Sequence, residues 1–230
     1  MKDSRPSLIL FLVASVLTII AKIFNYELMM LICKPVVVPA IYYYYLQTKT
    51  RKTNVLFSIA VWCFFIADMI MVLYPTNNII YVMCSAMISY LILIRFALND
   101  CGKIRFNGFN VIFLCVLLSL LSYILFTILN LKIESIMRNY FIYLCYGVVL
   151  IILVAVSTFN YLTESSPAFM FLCTMALCLL VSDLFYAINM FIINLPIIDH
   201  INLFSQFMAY FFMVKYFNSR KKLVFDPKKA

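Results

Sequence analysis

Eight apolar stretches, each near the ~20 residues that a bilayer crossing needs, divide this chain of 230 residues. They run Ser7 to Phe24, Leu28 to Leu46, Asn54 to Tyr74, Ile79 to Leu98, Phe109 to Leu129, Tyr140 to Tyr161, Ala168 to Ile192 and Leu203 to Phe217, the last of them short. The first resembles a signal peptide, but no small-x-small cleavage site follows it, so it reads as a helix. The chain is 66% hydrophobic and 12% charged, whereas a soluble domain carries roughly a quarter charged residues. The expected fold is all-α: a polytopic membrane protein whose eight transmembrane helices form one domain over residues 1–230.

Composition removes several alternatives. The chain has three glycines, Gly102, Gly108 and Gly147, which leaves no glycine-rich phosphate loop. Barrel strands would alternate in polarity, and these stretches do not. None of the eight cysteines forms a CxxC pair, and all but Cys101 sit in apolar runs, as small buried hydrophobes do. The net charge of +9 lies at helix ends and in the tail. Anionic lipid headgroups account for it, and no nucleic-acid partner is implied.

Lys and Arg in the connections set the orientation. Lys2, Arg5, Lys49, Arg51, Lys52, Lys103, Arg105 and the tail cluster Arg220, Lys221, Lys222, Lys228 and Lys229 fall on one side; only Lys132 and Arg138 fall on the other. Both termini are therefore expected in the cytoplasm, with residues 218–230 as a basic tail. Scarce glycine, short loops and the lack of further domains lean the location towards a bacterial inner membrane.

Two apolar segments carry a carboxylate. Asp68 lies within Cys63 to Tyr74 and Asp183 within Cys178 to Asn189, each five positions after a cysteine. A charged side chain inside a bilayer costs several kcal/mol, so such residues are functional candidates by default. Asp68 precedes Tyr74 by six residues and Lys34 follows Leu28 by six. At 1.5 Å per residue both lie about 9 Å from the outer side, and Asp183 falls in the same layer. Ile32 to Val38 aligns with Leu144 to Leu150, which places Tyr146 where Lys34 stands. The chain then reads as two parallel four-helix halves, about residues 7–98 and 109–217, with the site where they meet. Arg95 and Lys215 are expected to snorkel. Glu27, Glu164, Asp199 and the single histidine, His200, are read as boundary or loop residues. Asn189 follows Asp183 by six residues on the outer continuation of its helix.

The chain has no GxSxG and no intramembrane histidine to serve a serine nucleophile. It has no HExxH or close Cys/His cluster for a metal, and no cofactor is implied. What remains is a carboxylate pair with an amine and a phenol nearby. Environment can split such a pair into an acid and a base, and Lys34 would keep its nearer carboxylate ionised. One proton donor and one group that orients water are the needs of ether or acetal hydrolysis. The plainer account has Lys34 pairing with one aspartate to lock two helices together.

Lys34-Pro35, the Asp68 segment and above all Ser182-Asp183-Leu184-Phe185-Tyr186-Ala187-Ile188-Asn189-Met190-Phe191 resemble the YhhN (lysoplasmalogenase) family of membrane proteins, over about Leu28 to Phe217. Three positions depart from the family pattern. Ala67-Asp68 stands for Gly-Asp, Ser89 or Tyr90 stands for a histidine in the fourth helix, and the last helix is blurred around Gln206 to Tyr210. The resemblance implies hydrolysis of the vinyl-ether bond of a lysoplasmalogen, giving a fatty aldehyde and a glycerophospho-base. Asp68 and Asp183 would be the catalytic pair, with Lys34, Tyr146 and Asn189 as substrate-binding residues and Lys34 offered to the phosphate. The partners are then a lysophospholipid and the bilayer. Two other classes stay open: a proton-coupled transporter, and a lipid-binding protein without catalysis.

Overall fold

A computed structural model describes residues 5–49, 53–74, 78–101, 108–131, 137–193 and 195–220. Lys2, Arg51, Lys52, Lys103, Arg105, Lys132 and the tail beyond Arg220 lie outside the described residues. Within them the chain is helical, as eight long helices with no strand: α1 (Arg5–Ile23), α2 (Glu27–Thr48), α3 (Val55–Leu73), α4 (Ile79–Asn99), α5 (Gly108–Leu129), α6 (Tyr140–Thr163), α7 (Pro167–Phe191) and α8 (Pro196–Ser219). All eight are long and apolar enough to cross a membrane.

The helix ends follow local chemistry. Asn25 adopts φ 54° after α1; the Tyr26 amide donates to the Ala21 carbonyl and the Asn25 amide to that of Lys22. That is a left-handed helix stop, for which Asn is the best residue after Gly. Asn54 and Ser166 cap α3 and α7 with their side-chain oxygens. Pro35 and Pro39 sit inside α2 without ending it, as membrane helices allow when neighbours satisfy the freed backbone.

One expected boundary needs correction. The eighth span starts at Pro196, not Leu203, so Asp199 and His200 belong to a helix and not to a loop. Proline suits the first helical position, and Asp199 in the first turn complements the helix dipole. Hydropathy misses this turn because Asp199, His200 and Asn202 lower its average. Asp199 pairs with Lys22 at 3.0 Å, and Asn202 accepts from Ser182.

Neighbouring helices close a circuit: α2 packs on α3, α3 on α4, α4 on α6, α6 on α7, α7 on α8, and α8 back on α2. Helix α1 lies against both α2 and α8, whereas α5 packs along α6. Val37, Ile41, Phe57, Leu93, Leu153 and Met175 are fully enclosed between these helices. Phe109, Ile112, Val116, Tyr123 and Phe126 of α5 are exposed instead, an apolar face that only lipid suits. Side chains also bridge helices through backbone carbonyls: Ser89 donates to Ala60 at 2.9 Å, Ser85 to Cys63 at 2.7 Å and Asn160 to Ala97 at 2.7 Å.

Gly147 is where α5 meets α6. A Cβ there would stand 2.3 Å from a Leu125 methyl, so the missing side chain lets that leucine in. Gly147→Ala is expected to cost at most about 1 kcal/mol because Leu125 can turn away. Gly147→Val, with a second branch to place, should cost about 1–3 kcal/mol, read as the loss in unfolding free energy in detergent. Equal midpoints for wild type and the Val variant would mean that α5 does not rest there.

At one end of the bundle, Arg220 ion-pairs with Asp100 and the Tyr216 hydroxyl donates to the same carboxylate at 2.6 Å. The Arg220 guanidinium lies 4.7 Å from the Phe96 ring centre, and the Phe217 ring lies 4.0 Å from that of Phe57, tilted, and 4.9 Å from that of Phe96, edge-on. This is called the Asp100 end. At the opposite, Asp199 end, Asn189 ties the α7–α8 connection by donating to Asp199 at 2.6 Å and accepting from the Leu195 amide at 2.8 Å.

Candidate functional site

The two aspartates sit on α3 and α7, and both line a single cavity of about 190 Å³. Its walls are mostly apolar and come from six helices, α3 to α8. The contributors include Met83 of α4, Leu125 and Ile128 of α5, Leu150 of α6 and Leu179 of α7. The aspartates are the only formally charged residues among those described that line it.

Each aspartate is held differently. Lys34 Nζ lies 3.5 Å from Asp68 Oδ1, with the two side chains 1% and 3% exposed. The same amine lies 3.9 Å from Met71 Sδ. Gln206 Nε2 donates to Asp68 Oδ1 at 2.9 Å and the Tyr210 hydroxyl to Oδ2 at 2.8 Å. Gln206 also donates to the Tyr210 hydroxyl at 2.9 Å, which fixes both donors. Asp68 is therefore a charge compensated on both oxygens, as a carboxylate in an apolar interior must be.

Asp183 has no cation beside it among the described residues. The Tyr90 hydroxyl donates to its Oδ2 at 2.6 Å and the Tyr146 hydroxyl to the same atom at 2.5 Å, and the two phenols lie 3.2 Å apart. Both donors converge on one oxygen. Oδ1 accepts from nothing in the described protein and is left to the cavity.

The residues singled out from sequence are placed as follows. Lys34 meets Asp68, and Tyr146 meets Asp183. Lys34 is 2% exposed and is not among the cavity-lining residues, so its amine serves Asp68 and offers nothing to a phosphate. Asn189 is away from both aspartates, in the Asp199-end contacts already described. Ser89 turns towards α3, while its neighbour Tyr90 turns to Asp183.

Sequence reasoning noted Tyr90 and the Gln206 to Tyr210 stretch only as departures from the family pattern and gave Tyr90, Gln206 and Tyr210 no part in the site. A signal was present. Matching α4 with α8, as α2 was matched with α6, pairs Tyr90 with Tyr210 and, ten residues on, Asp100 with Arg220. Each aspartate thus takes one partner from the preceding helix, Lys34 or Tyr146, and one tyrosine from the other half of the chain.

Removing one phenol leaves Asp183 Oδ2 with the other donor. Tyr90→Phe or Tyr146→Phe should each cost about 0.5–1.5 kcal/mol, the net worth of one buried hydrogen bond. The double variant should lose more than the sum, because nothing then compensates the carboxyl. Strict additivity in unfolding free energy would show that the two phenols do not share that oxygen.

Compared with known proteins, the chain matches no family model, no curated protein and no solved structure.

Proposed function

We propose that this protein is an integral membrane ether hydrolase of the lysoplasmalogenase type, whose reaction takes place in the cavity between Asp68 and Asp183. The observation that carries the reading is that two aspartates from separate helices open into one apolar cavity, one charge-compensated and the other with a free oxygen. Asp183 is the proton-transfer group. Its carboxyl gives a proton from Oδ1 to the vinyl carbon farther from the ether oxygen. The double-bond electrons form the new C–H bond, and the carbon next to oxygen becomes an oxocarbenium ion. Asp68, ion-paired with Lys34 at 3.5 Å, offsets that positive charge. Water adds to the cationic carbon and returns a proton to Asp183. The hemiacetal then forms the aldehyde C=O and breaks its C–O bond to the glycerol, whose oxygen takes up the proton that the hemiacetal hydroxyl gives up. One water is consumed and Asp183 is restored.

The helix circuit supports two parallel halves. Contacts α1–α2, α2–α3 and α3–α4 are matched by α5–α6, α6–α7 and α7–α8, and α4–α6 is matched by α8–α2. The basic connections support a cytoplasmic Asp100 end with both termini on that side, and we keep a bacterial inner membrane as the setting. The acyl chain would enter among α4, α5 and α6, where the cavity wall is aliphatic.

A proton-coupled transporter needs a polar path to both ends. Between the aspartates and the Asp100 end the interior is filled by Phe64, Phe57, Phe96 and Phe217, which favours a site that opens to one side.

The test is to incubate the purified full chain in detergent with a lysoplasmalogen and measure aldehyde. Release that depends on the protein is expected. No release, with the lipid still bound, would leave a binding protein and end the hydrolase reading.

A further inference from the structure

One turn towards the Asp199 end from the aspartates, the cavity has a second polar layer that the reaction does not use. Tyr143 precedes Tyr146 by three residues on α6, Tyr186 follows Asp183 by three on α7, and Asn202 precedes Gln206 by four on α8; all three line the cavity. Each is therefore about 4.5–6 Å further along its helix than the site residue it neighbours. The Tyr143 hydroxyl is buried and has no hydrogen-bond partner among the described residues, and the residue is 8% exposed. Asn202 uses its carbonyl to accept from Ser182 Oγ at 2.7 Å, and its amide N–H groups donate to nothing in the described protein. The Tyr186 hydroxyl likewise has no hydrogen-bond partner among the described residues. A polar atom buried without a partner is costly, so the Tyr143 hydroxyl, on a cavity that Tyr186 and Asn202 also line, points to a ligand that completes it.

We propose that Tyr143, Tyr186 and Asn202 form a subsite for the neutral, hydroxyl-bearing linker of a single-chain lipid. This rests on the hydrolase reading for the place of the chain, but concerns binding alone. The layer has no Lys, Arg or His, and the only charges lining the cavity are two acids. A phosphate therefore gains nothing inside and remains at the Asp199 end, outside the cavity. Uncharged phenols and an amide match a free hydroxyl, which both donates and accepts. An acyl or methyl group on that oxygen would remove its donor and press against the buried Tyr143 ring. The subsite thus selects lipids with one chain and a free neighbouring hydroxyl over their two-chain or capped forms.

The probes are a saturated alkyl-ether lysophosphocholine and its 2-O-methyl derivative, neither of which has a vinyl ether to cleave. Their dissociation constants are measured on the full chain in detergent. Wild type is expected to prefer the free hydroxyl by about fivefold to tenfold, the effect of one or two neutral hydrogen bonds. In the Tyr143→Phe/Tyr186→Phe variant that preference should fall to about one, with affinity for the methylated lipid unchanged. The Tyr143 change removes no hydrogen bond from the folded protein, so Tyr143→Phe alone should melt as wild type and keep only part of the preference. Preference for the free hydroxyl without any aldehyde from lysoplasmalogen would support the subsite while ending the hydrolase reading. A wild type that binds neither lipid, or shows no preference, or a double variant that keeps the full preference, would overturn the subsite.

Discussion

Asp183→Asn is expected to lower aldehyde release from lysoplasmalogen about a thousandfold while the protein stays folded. General acid–base catalysis by one positioned group is worth about a hundred- to ten-thousandfold, and Asn can neither give nor take the proton at Oδ1. The fold should tolerate the change. The Asn carbonyl can still accept from Tyr90 and Tyr146, whose hydroxyls lie 2.6 and 2.5 Å from Oδ2, and no buried cation loses its partner. Unfolding in detergent and elution on size exclusion should therefore match wild type, so that lost turnover reads as lost chemistry. Undiminished turnover in this variant would remove Asp183 from the reaction.

Lys34→Met should have the largest effect on stability, about 3–5 kcal/mol. Removing one partner of a buried ion pair strands the other charge in a medium that cannot solvate it. Lys34 and Asp68 are 2% and 3% exposed, and Met71 beside the amine offers sulfur, not water. Gln206 and Tyr210 remain as donors but carry no positive charge. Lys34→Met/Asp68→Asn removes both charges and should recover more than half of the loss, leaving a folded protein without the Asp68 carboxylate. A double variant as unstable as Lys34→Met alone would show that Lys34 acts through packing and not through its charge. The stability cycle and the turnover assay together separate a helix lock from a working part of the site.

Of the site, the pairs within each half were legible. Lys34 with Asp68 and Tyr146 with Asp183 follow from depth along helices of known direction, because 1.5 Å per residue fixes the level of a side chain once its helix end is known. Tyr90, Gln206 and Tyr210 were hidden because a tyrosine or glutamine in an apolar run has several ordinary homes, from helix contact to the interfacial belt. Only the closing of α4 on α6 and of α8 on α2 brings them to the aspartates. Asn189 shows the converse. Its spacing pointed outward along the same helix as Asp183, but the turn into α8 captures it.

By itself the sequence determined that this chain has eight apolar helices with an acid deep inside two of them, because covalent spacing and hydropathy are properties of each segment alone. Tertiary structure alone decided that the acids share a cavity, that one is matched by a cation while the other has none beside it among the described residues, and that Tyr143, Tyr186 and Asn202 line the same cavity beyond them. Those depend on which face each helix turns to its neighbours. In a chain apolar on every side, no hydrophobic stripe records that choice; it is set by which polar groups can find one another once the helices meet.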